Sequence, residues 1–201
     1  CWARGLVGDP SVEWHFHERA EGATYPTGGE GWQGHCTGEV DNDGYKLGVS
    51  AWAPCGWAAV QGQQADAWMF GALPLELPMH RKIKRAELSA FCMVQTFTPI
   101  HLYTDHLAIV QRMEQGARWC CQAKLPHADV WRLIWHKLED IGFPLPEVKI
   151  SHVKAHRSLK DKAVMTAERK RHTARNKAAD HWAKAGAECD KGQYKQQVLQ
   201  A

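Results

Sequence analysis

Two acidic residues in this sequence occupy positions where α/β proteins often place reactive side chains. Glu87 lies near the start of a predicted helix over residues 86–95, a stretch rich in good helix formers. Asp105 follows a predicted strand over residues 100–103, after Pro99 has ended the helical pattern. Ligands of α/β sheets gather at the carboxyl ends of strands, so we expect both carboxylates to point into one site. A strand-end Asp is also often only a helix N-cap, so this pair alone leaves both interpretations open.

Several carboxylates in a small space would indicate a site for divalent metal ions. Neighbouring acids repel one another and raise each other's pKa, and a bound cation reverses that penalty. Mg²⁺ prefers oxygen ligands and retains some of its water. Two such ions, about 3.5–4 Å apart, stabilise both the attacking and the leaving oxygens of a phosphodiester displacement. The chemistry that further acids beside Glu87 and Asp105 would favour is therefore phosphodiester hydrolysis.

Five short motifs follow one another along the chain with spacings typical of one domain. They are Asp43-Gly44, Arg85-Ala86-Glu87-Leu88, Thr104-Asp105, Val153-Lys154-Ala155-His156 and the segment from Asn176 to Asp180. In this order they resemble type 1 ribonuclease H. The resemblance covers roughly Val40 to Ala187, and it depends on the series because none of the motifs is decisive alone.

The resemblance implies a metal-dependent endonuclease that hydrolyses the RNA strand of RNA–DNA hybrids. It implies that His156 lies on a mobile loop and assists proton transfer or product release, with His152 as the alternative histidine. It also implies two Mg²⁺ ions as cofactors, for which Mn²⁺ can substitute. The residues that would hold them by resemblance are Asp43, Glu87, Asp105 and Asp180.

The identity of the first acid stays open at this point. Asp41 and Asp43 alternate on one face of a predicted strand, and the Asp-Gly pair favours Asp43. Tyr45 stands where the family usually has Ser. A degenerate first strand would also suit a decayed copy, which binds nucleic acid without cutting it.

The pattern of elements predicts an α/β, ribonuclease H-like fold. The expected sheet is mixed and five-stranded, with three antiparallel strands followed by parallel strands, and helices cover both faces. Strands are predicted over residues 39–43, 56–60, 67–71, 100–103 and 148–153. Helices are predicted over residues 86–95, 106–115, 128–141 and 176–187, and residues 157–175 form a basic insertion before the last helix.

The charge of the chain is distributed unevenly. From Lys149 onward there are 13 Lys and Arg against 5 Asp and Glu, a net charge of +8, whereas the first 148 residues have a net charge of −5. A basic region beside an acidic site suits an enzyme that acts on a polyanion, although a basic helix is often only a solvated face. A hybrid would be recognised by duplex shape and 2′-hydroxyls. The residues predicted to contact nucleic acid are Arg85, Lys154, Arg169, Lys170, Arg171, Arg175 and Asn176.

The domain organisation is predicted from composition. Residues 1–34 are interpreted as a poorly ordered linker or the end of an upstream domain, residues 35–188 as the ribonuclease H-like domain, and residues 189–201 as a tail. Because the chain starts at Cys1, we expect a fragment of a longer polypeptide, and the resemblance implies a retroelement polyprotein with a covalently linked reverse transcriptase domain upstream. Seven cysteines, an odd number, favour a nuclear or cytoplasmic, intracellular location. No stretch approaches the ~18 apolar residues of a membrane span.

A zinc-binding interaction domain is the other class of function considered. His15, His17, His35 and Cys36 could be assembled into a zinc site. Their spacing matches no standard zinc finger, and there is no paired Cys-x-x-Cys. Surface or linker histidines are therefore the favoured interpretation.

Overall fold

The computed structural model describes residues 27–30, 36, 38–49, 53–73, 83–94, 100–140, 148–153 and 165–189. Its strands are β1 (Thr27–Gly28), β2 (Gly38–Lys46), β3 (Cys55–Gln61), β4 (Ala67–Ala72), β5 (Ile100–Thr104) and β6 (Val148–His152). Its helices are α1 (Ile83–Val94), α2 (Leu107–Gln115), α3 (Ala117–Cys120), α4 (Ala128–Asp140) and α5 (Ala167–Cys189). All five predicted strands are present, with ends that differ by a few residues.

The sheet is mixed, as predicted, and its strand order is β1-β4-β3-β2-β5-β6. Strands β2, β3 and β4 form an antiparallel meander, and β5 and β6 run parallel to β2. The sixth strand is β1, whose Thr27 and Gly28 pair with Met69 and Trp68 of β4. These two residues precede the predicted domain boundary at residue 35, which stays a prediction because most of residues 1–34 lie outside the described part of the chain.

Strand β2 is central in the sheet although its sequence pattern is the weakest of the five. Val40 is its one fully buried aliphatic side chain, and the residues that follow it are polar and also buried: Asp41 is 1% exposed and Asn42 is 0% exposed. Buried polar groups are costly unless they are paired or bind a ligand. The buried polar residues of β2 must therefore be paired with other polar groups or bind a ligand, and core packing alone does not explain them.

One face of the sheet is covered by α1 and α4 around an apolar core. Phe91 of α1 and Trp131 of α4 are both fully buried, and their rings meet edge to face with centroids 6.3 Å apart. Trp135 is also buried in this core. The two tryptophans of α4 are thus packing residues of the core.

The other face is covered by α5, which approaches the sheet very closely. A side chain at Gly56 of β3 would collide with the backbone of Ala183 and Ala187, and a Cβ at Gly186 would lie 2.5 Å from the carbonyl oxygen of Gly71. Small residues on both surfaces allow this contact. Helix α5 begins at Ala167, so part of the segment predicted as an insertion before the helix is instead its first turns.

None of the helices in the described part of the chain combines the length and the apolar character needed to cross a membrane.

Candidate functional site

Three carboxylates from different elements converge at the end of the parallel part of the sheet. Asp43 lies on β2 just beyond the last parallel pair, Asn42 with Thr104, and Asp105 directly follows β5. Glu87 lies in the first half of α1. One ligand oxygen from each of the three side chains lies within 4.8 Å of the other two. We call Asp43, Glu87 and Asp105 the acidic trio.

Contacts between β2 and α1 hold Glu87 against the strand. Asn42 Nδ2 donates a hydrogen bond to the backbone oxygen of Glu87 at 2.9 Å, in the buried interface. Gly44 allows the close approach, because a Cβ there would lie 2.7 Å from the backbone nitrogen of Glu87. The backbone amide of Gly44 donates to Asp43 Oδ1 at 2.7 Å. The Asp-Gly pair therefore supplies a carboxylate and a surface on which α1 packs.

The acidic trio is electrostatically unfavourable by itself. Burial, followed by the charges of Asp105 and Asp180, raises the pKa of Asp43 to about 8, against the hydrogen bond from Gly44. Burial, followed by the charges of Asp105 and Asp43, raises the pKa of Glu87 to about 9. Glu87 is 6% exposed, and its Oε2 has no hydrogen-bond partner among the described residues. Carboxylate oxygens that repel one another, one of them buried and without a hydrogen-bond partner among the described residues, are suitable ligands for a hard divalent cation.

Asp180 lies on α5, on the opposite side of the sheet from α1. It is exposed, and its charge contributes to the raised pKa of Asp43. It is not one of the carboxylates grouped within 4.8 Å of one another in the described residues. The structure therefore brings together three of the four predicted metal ligands and places the fourth within electrostatic range.

The fold is shared with solved ribonuclease H structures. The solution structure of the PFV RNase H domain, from a foamy virus, matches with a TM-score of 0.55 and 18% identity over 78% of this chain and 97% of that chain. LC9-RNase H1, a type 1 RNase H with the type 2 active-site motif, matches with a TM-score of 0.53 and 16% identity over 77% of this chain and 73% of that chain. This chain has the ribonuclease H-like fold. No protein-family model and no curated protein matches the sequence.

Of the two candidates for the first acid, Asp43 belongs to the acidic trio, whereas Asp41 is paired elsewhere. Asp41 Oδ2 forms an ion pair with Arg175 Nε at 2.6 Å, and His172 Nδ1 lies 3.3 Å from the same carboxylate. Arg175 Nη2 also contacts Glu39 Oε2 at 2.8 Å. Glu39, Asp41 and Asp43 are every second residue of β2, so all three lie on the face that α5 covers. Two of these acids are therefore paired with α5, and the third belongs to the acidic trio.

Three of the residues predicted to contact nucleic acid have buried side chains in the structure, and their contact with nucleic acid stays a prediction. Arg85 is 3% exposed, and its guanidinium contacts both carboxylate oxygens of Asp129, at 3.0 and 2.5 Å. Arg175 and Asn176 are 2% and 8% exposed. Ion pairs with Asp129, Glu39 and Asp41 compensate the buried charges of Arg85 and Arg175. Neither guanidinium is on the surface. The sequence pattern did not distinguish these interior cations from surface ones.

The remaining predicted residues are divided between the surface and the part of the chain that is not described. Arg169 and Lys170 are exposed in the first turn of α5, and Arg171 is partly buried. Lys154 and His156 lie outside the described residues, as do His15, His17 and His35 of the zinc hypothesis. Cys36 of that hypothesis is buried in the core, with its sulfur 3.8 Å from that of Met69.

Two histidines adjoin the acidic trio. His152, the alternative catalytic histidine, donates from Nε2 to the backbone oxygen of Asp105 at 3.1 Å. His106 places Nδ1 4.0 Å from Glu87 Oε2. Sequence reasoning did not select His106, although its position directly after Asp105 was the available signal.

Proposed function

We propose that this ribonuclease H-like domain is a metal-dependent endonuclease that hydrolyses the RNA strand of RNA–DNA hybrids. The observation that carries the proposal is the acidic trio, in which three carboxylates converge and the buried Oε2 of Glu87 has no partner among the described residues. Clustered acids of this kind are unfavourable without a cation. A ribonuclease H-like fold with such a cluster is best explained as a nuclease that binds divalent metal ions.

In this proposal Asp43, Glu87 and Asp105, assisted by Asp180, hold two Mg²⁺ ions, and Mn²⁺ can replace them. The ions would stabilise the attacking and leaving oxygens at the scissile phosphate. The protein's part is to fix the carboxylates: Asn42 and Gly44 set the position of Glu87, and the end of β5 sets that of Asp105. His156, by its motif, would move a proton near the leaving group. The products would be a 3′-hydroxyl and a 5′-phosphate.

The substrate would be bound mainly through phosphates. Arg169 and Lys170 are exposed at the start of α5, the helix that also bears Asp180, and we propose that they contact the duplex together with Lys154 and Arg171. Such contacts give affinity without reading sequence. An upstream reverse transcriptase domain in a retroelement polyprotein, acting in the nucleus or cytoplasm, is part of the same proposal.

The test is a cleavage assay with an RNA–DNA hybrid in the presence and absence of Mg²⁺, with single-stranded RNA and double-stranded DNA as comparison substrates. We expect Mg²⁺-dependent cutting of the hybrid RNA strand alone, abolished by Asp105→Asn and by Glu87→Gln. Glu114→Gln is the matched control, because Glu114 is exposed on α2 outside the acidic trio. Binding of the hybrid without cleavage by the unmodified protein would refute the proposal in favour of a non-catalytic binding module.

A further inference from the structure

His106 lies beside the acidic trio, and its side chain is not needed to cap the helix that follows it. It occupies the N-cap position of α2, but its side chain makes no capping hydrogen bond. The local turn is held by the backbone amide of His106, which donates to Thr104 Oγ1 at 3.2 Å. The side chain is 18% exposed. The imidazole is therefore not used for helix capping, and its Nδ1 lies near Glu87, at the edge of the acidic trio and outside the group of three ligand oxygens.

The Nδ1 atom of His106 lies near the carboxylate oxygen of Glu87 that has no hydrogen-bond partner among the described residues. His106 Nδ1 and Glu87 Oε2 are 4.0 Å apart, a separation too long for a hydrogen bond. Bonds of about 2.0–2.1 Å from a metal ion to oxygen or nitrogen allow two ligands of one ion to lie about 3–4 Å apart. A single cation between these two atoms would contact both. It would also provide the partner that the buried oxygen of Glu87 lacks within the described residues.

We propose that His106 supplies an imidazole nitrogen to a divalent ion held by Glu87, and that this ligand favours transition-metal ions such as Mn²⁺ over Mg²⁺. The inference rests on the proposed function and deepens it, because it concerns which metal the same site selects. Mg²⁺ prefers oxygen ligands and sheds its water reluctantly. Ions of the transition series accept imidazole nitrogen more readily. A histidine directly after Asp105 thus changes an all-oxygen site into a mixed one.

The direct test is pulsed electron paramagnetic resonance of the protein loaded with Mn²⁺ alone. A coordinated imidazole couples the ¹⁴N nucleus to the Mn²⁺ electron spin. We expect this coupling in the unmodified protein and in His136→Ala, whose histidine is exposed on α4, and we expect its loss in His106→Ala. If bound Mn²⁺ shows no ¹⁴N coupling in the unmodified protein, or if the coupling survives in His106→Ala, the proposal is wrong.

Metal titration gives a second readout that does not depend on catalysis. His106→Ala should weaken Mn²⁺ binding by about tenfold or more, the size of effect typical of changes around a metal site, and should leave Mg²⁺ binding within about twofold because Mg²⁺ gains little from the imidazole. Equal weakening for both ions would overturn the selectivity. Hybrid cleavage with Mg²⁺ but no ¹⁴N coupling removes only the role of His106. Absence of both Mn²⁺ binding and cleavage removes the proposed function as well.

Discussion

Replacing Gly44 by alanine should displace Glu87 and weaken metal binding at the proposed site. A Cβ at this position would lie 2.7 Å from the backbone nitrogen of Glu87 and 2.8 Å from its Cγ. Ordinary contacts between such atoms are about 3.5 Å, so α1 must move away from β2 by roughly 0.8 Å. Overpacking of this size typically costs about 1–3 kcal/mol in the free energy of unfolding. A misplacement near 1 Å can reduce the rate of a reaction by about a hundredfold.

The assay combines stability, metal affinity and cleavage, with a control on the same strand. Gly38→Ala is suitable because Gly38 has φ +62° and its Cβ would meet no atom within 4 Å. Alanine in that left-handed conformation costs about 1–2 kcal/mol, a loss similar to that of Gly44→Ala, without any contact to Glu87. Urea unfolding should therefore show comparable destabilisation of both variants. Only Gly44→Ala should bind Mn²⁺ about tenfold more weakly and cleave hybrid more slowly.

The reasoning is refuted if Gly44→Ala binds Mn²⁺ and cleaves hybrid as the unmodified protein does. That result would mean that α1 accommodates the methyl group without moving Glu87. A parallel loss of function in Gly38→Ala would also refute it, because the effect would then follow from lower stability alone.

Three further outcomes are expected. Arg175→Ala should lower the free energy of unfolding by about 3–5 kcal/mol, because Asp41, which is 1% exposed, would lose its 2.6 Å ion pair. Adding Asp41→Asn should restore part of the lost stability. A loss below about 1 kcal/mol in urea unfolding would contradict the expected role of this ion pair. The pKa of Asp43 is raised from 3.8 to about 8 and that of Glu87 from 4.5 to about 9, so the metal-free protein should lose stability as pH rises from about 4 to about 9. Mg²⁺ should therefore raise the melting temperature more at about pH 8.5 than at about pH 5. Equal increases in melting temperature at the two pH values would argue against a metal site at these carboxylates. Neutralising Arg169 and Lys170 to Gln should reduce the slope of hybrid affinity against salt by about one to two, and an unchanged slope would remove both from the interface.

The order of elements follows from local patterns, whereas Asp43 was grouped with Glu87 and Asp105 only through the resemblance to type 1 ribonuclease H. Short apolar runs separated by a polar turn predict β3 and β4, and helical spacing of apolar residues predicts α1 and α4. Asp105 is recognisable because it stands where a strand stops. These features depend on residues that are close in the sequence, which is why they can be inferred without coordinates.

Long-range pairing accounts for what the sequence did not predict. In the sequence Arg85 and Arg175 look like surface cations, and only the fold brings Arg85 to the partly buried carboxylate of Asp129 and Arg175 to the buried carboxylate of Asp41. The choice between Asp41 and Asp43 was open for the same reason, since both project from one face of the strand. The Asp-Gly pair favoured Asp43 in the sequence. The structure gives a physical reason for the glycine, because α1 packs so closely on Gly44 that a side chain there would collide with Glu87.

On the face of β2 covered by α5, acids held in ion pairs and an acid of the acidic trio follow one another along the strand. Glu39 and Asp41 both pair with Arg175, whereas Asp43, two residues and about 7 Å further on, forms no ion pair with a cation of the described residues. An arginine delivered one pair further along would act as a built-in counter-ion for Asp43 and compete with any metal for its carboxylate. A redesigned α5 carrying that change would hold Asp43 in a salt bridge, and would give a structurally matched comparison protein for metal-binding and hybrid-binding studies.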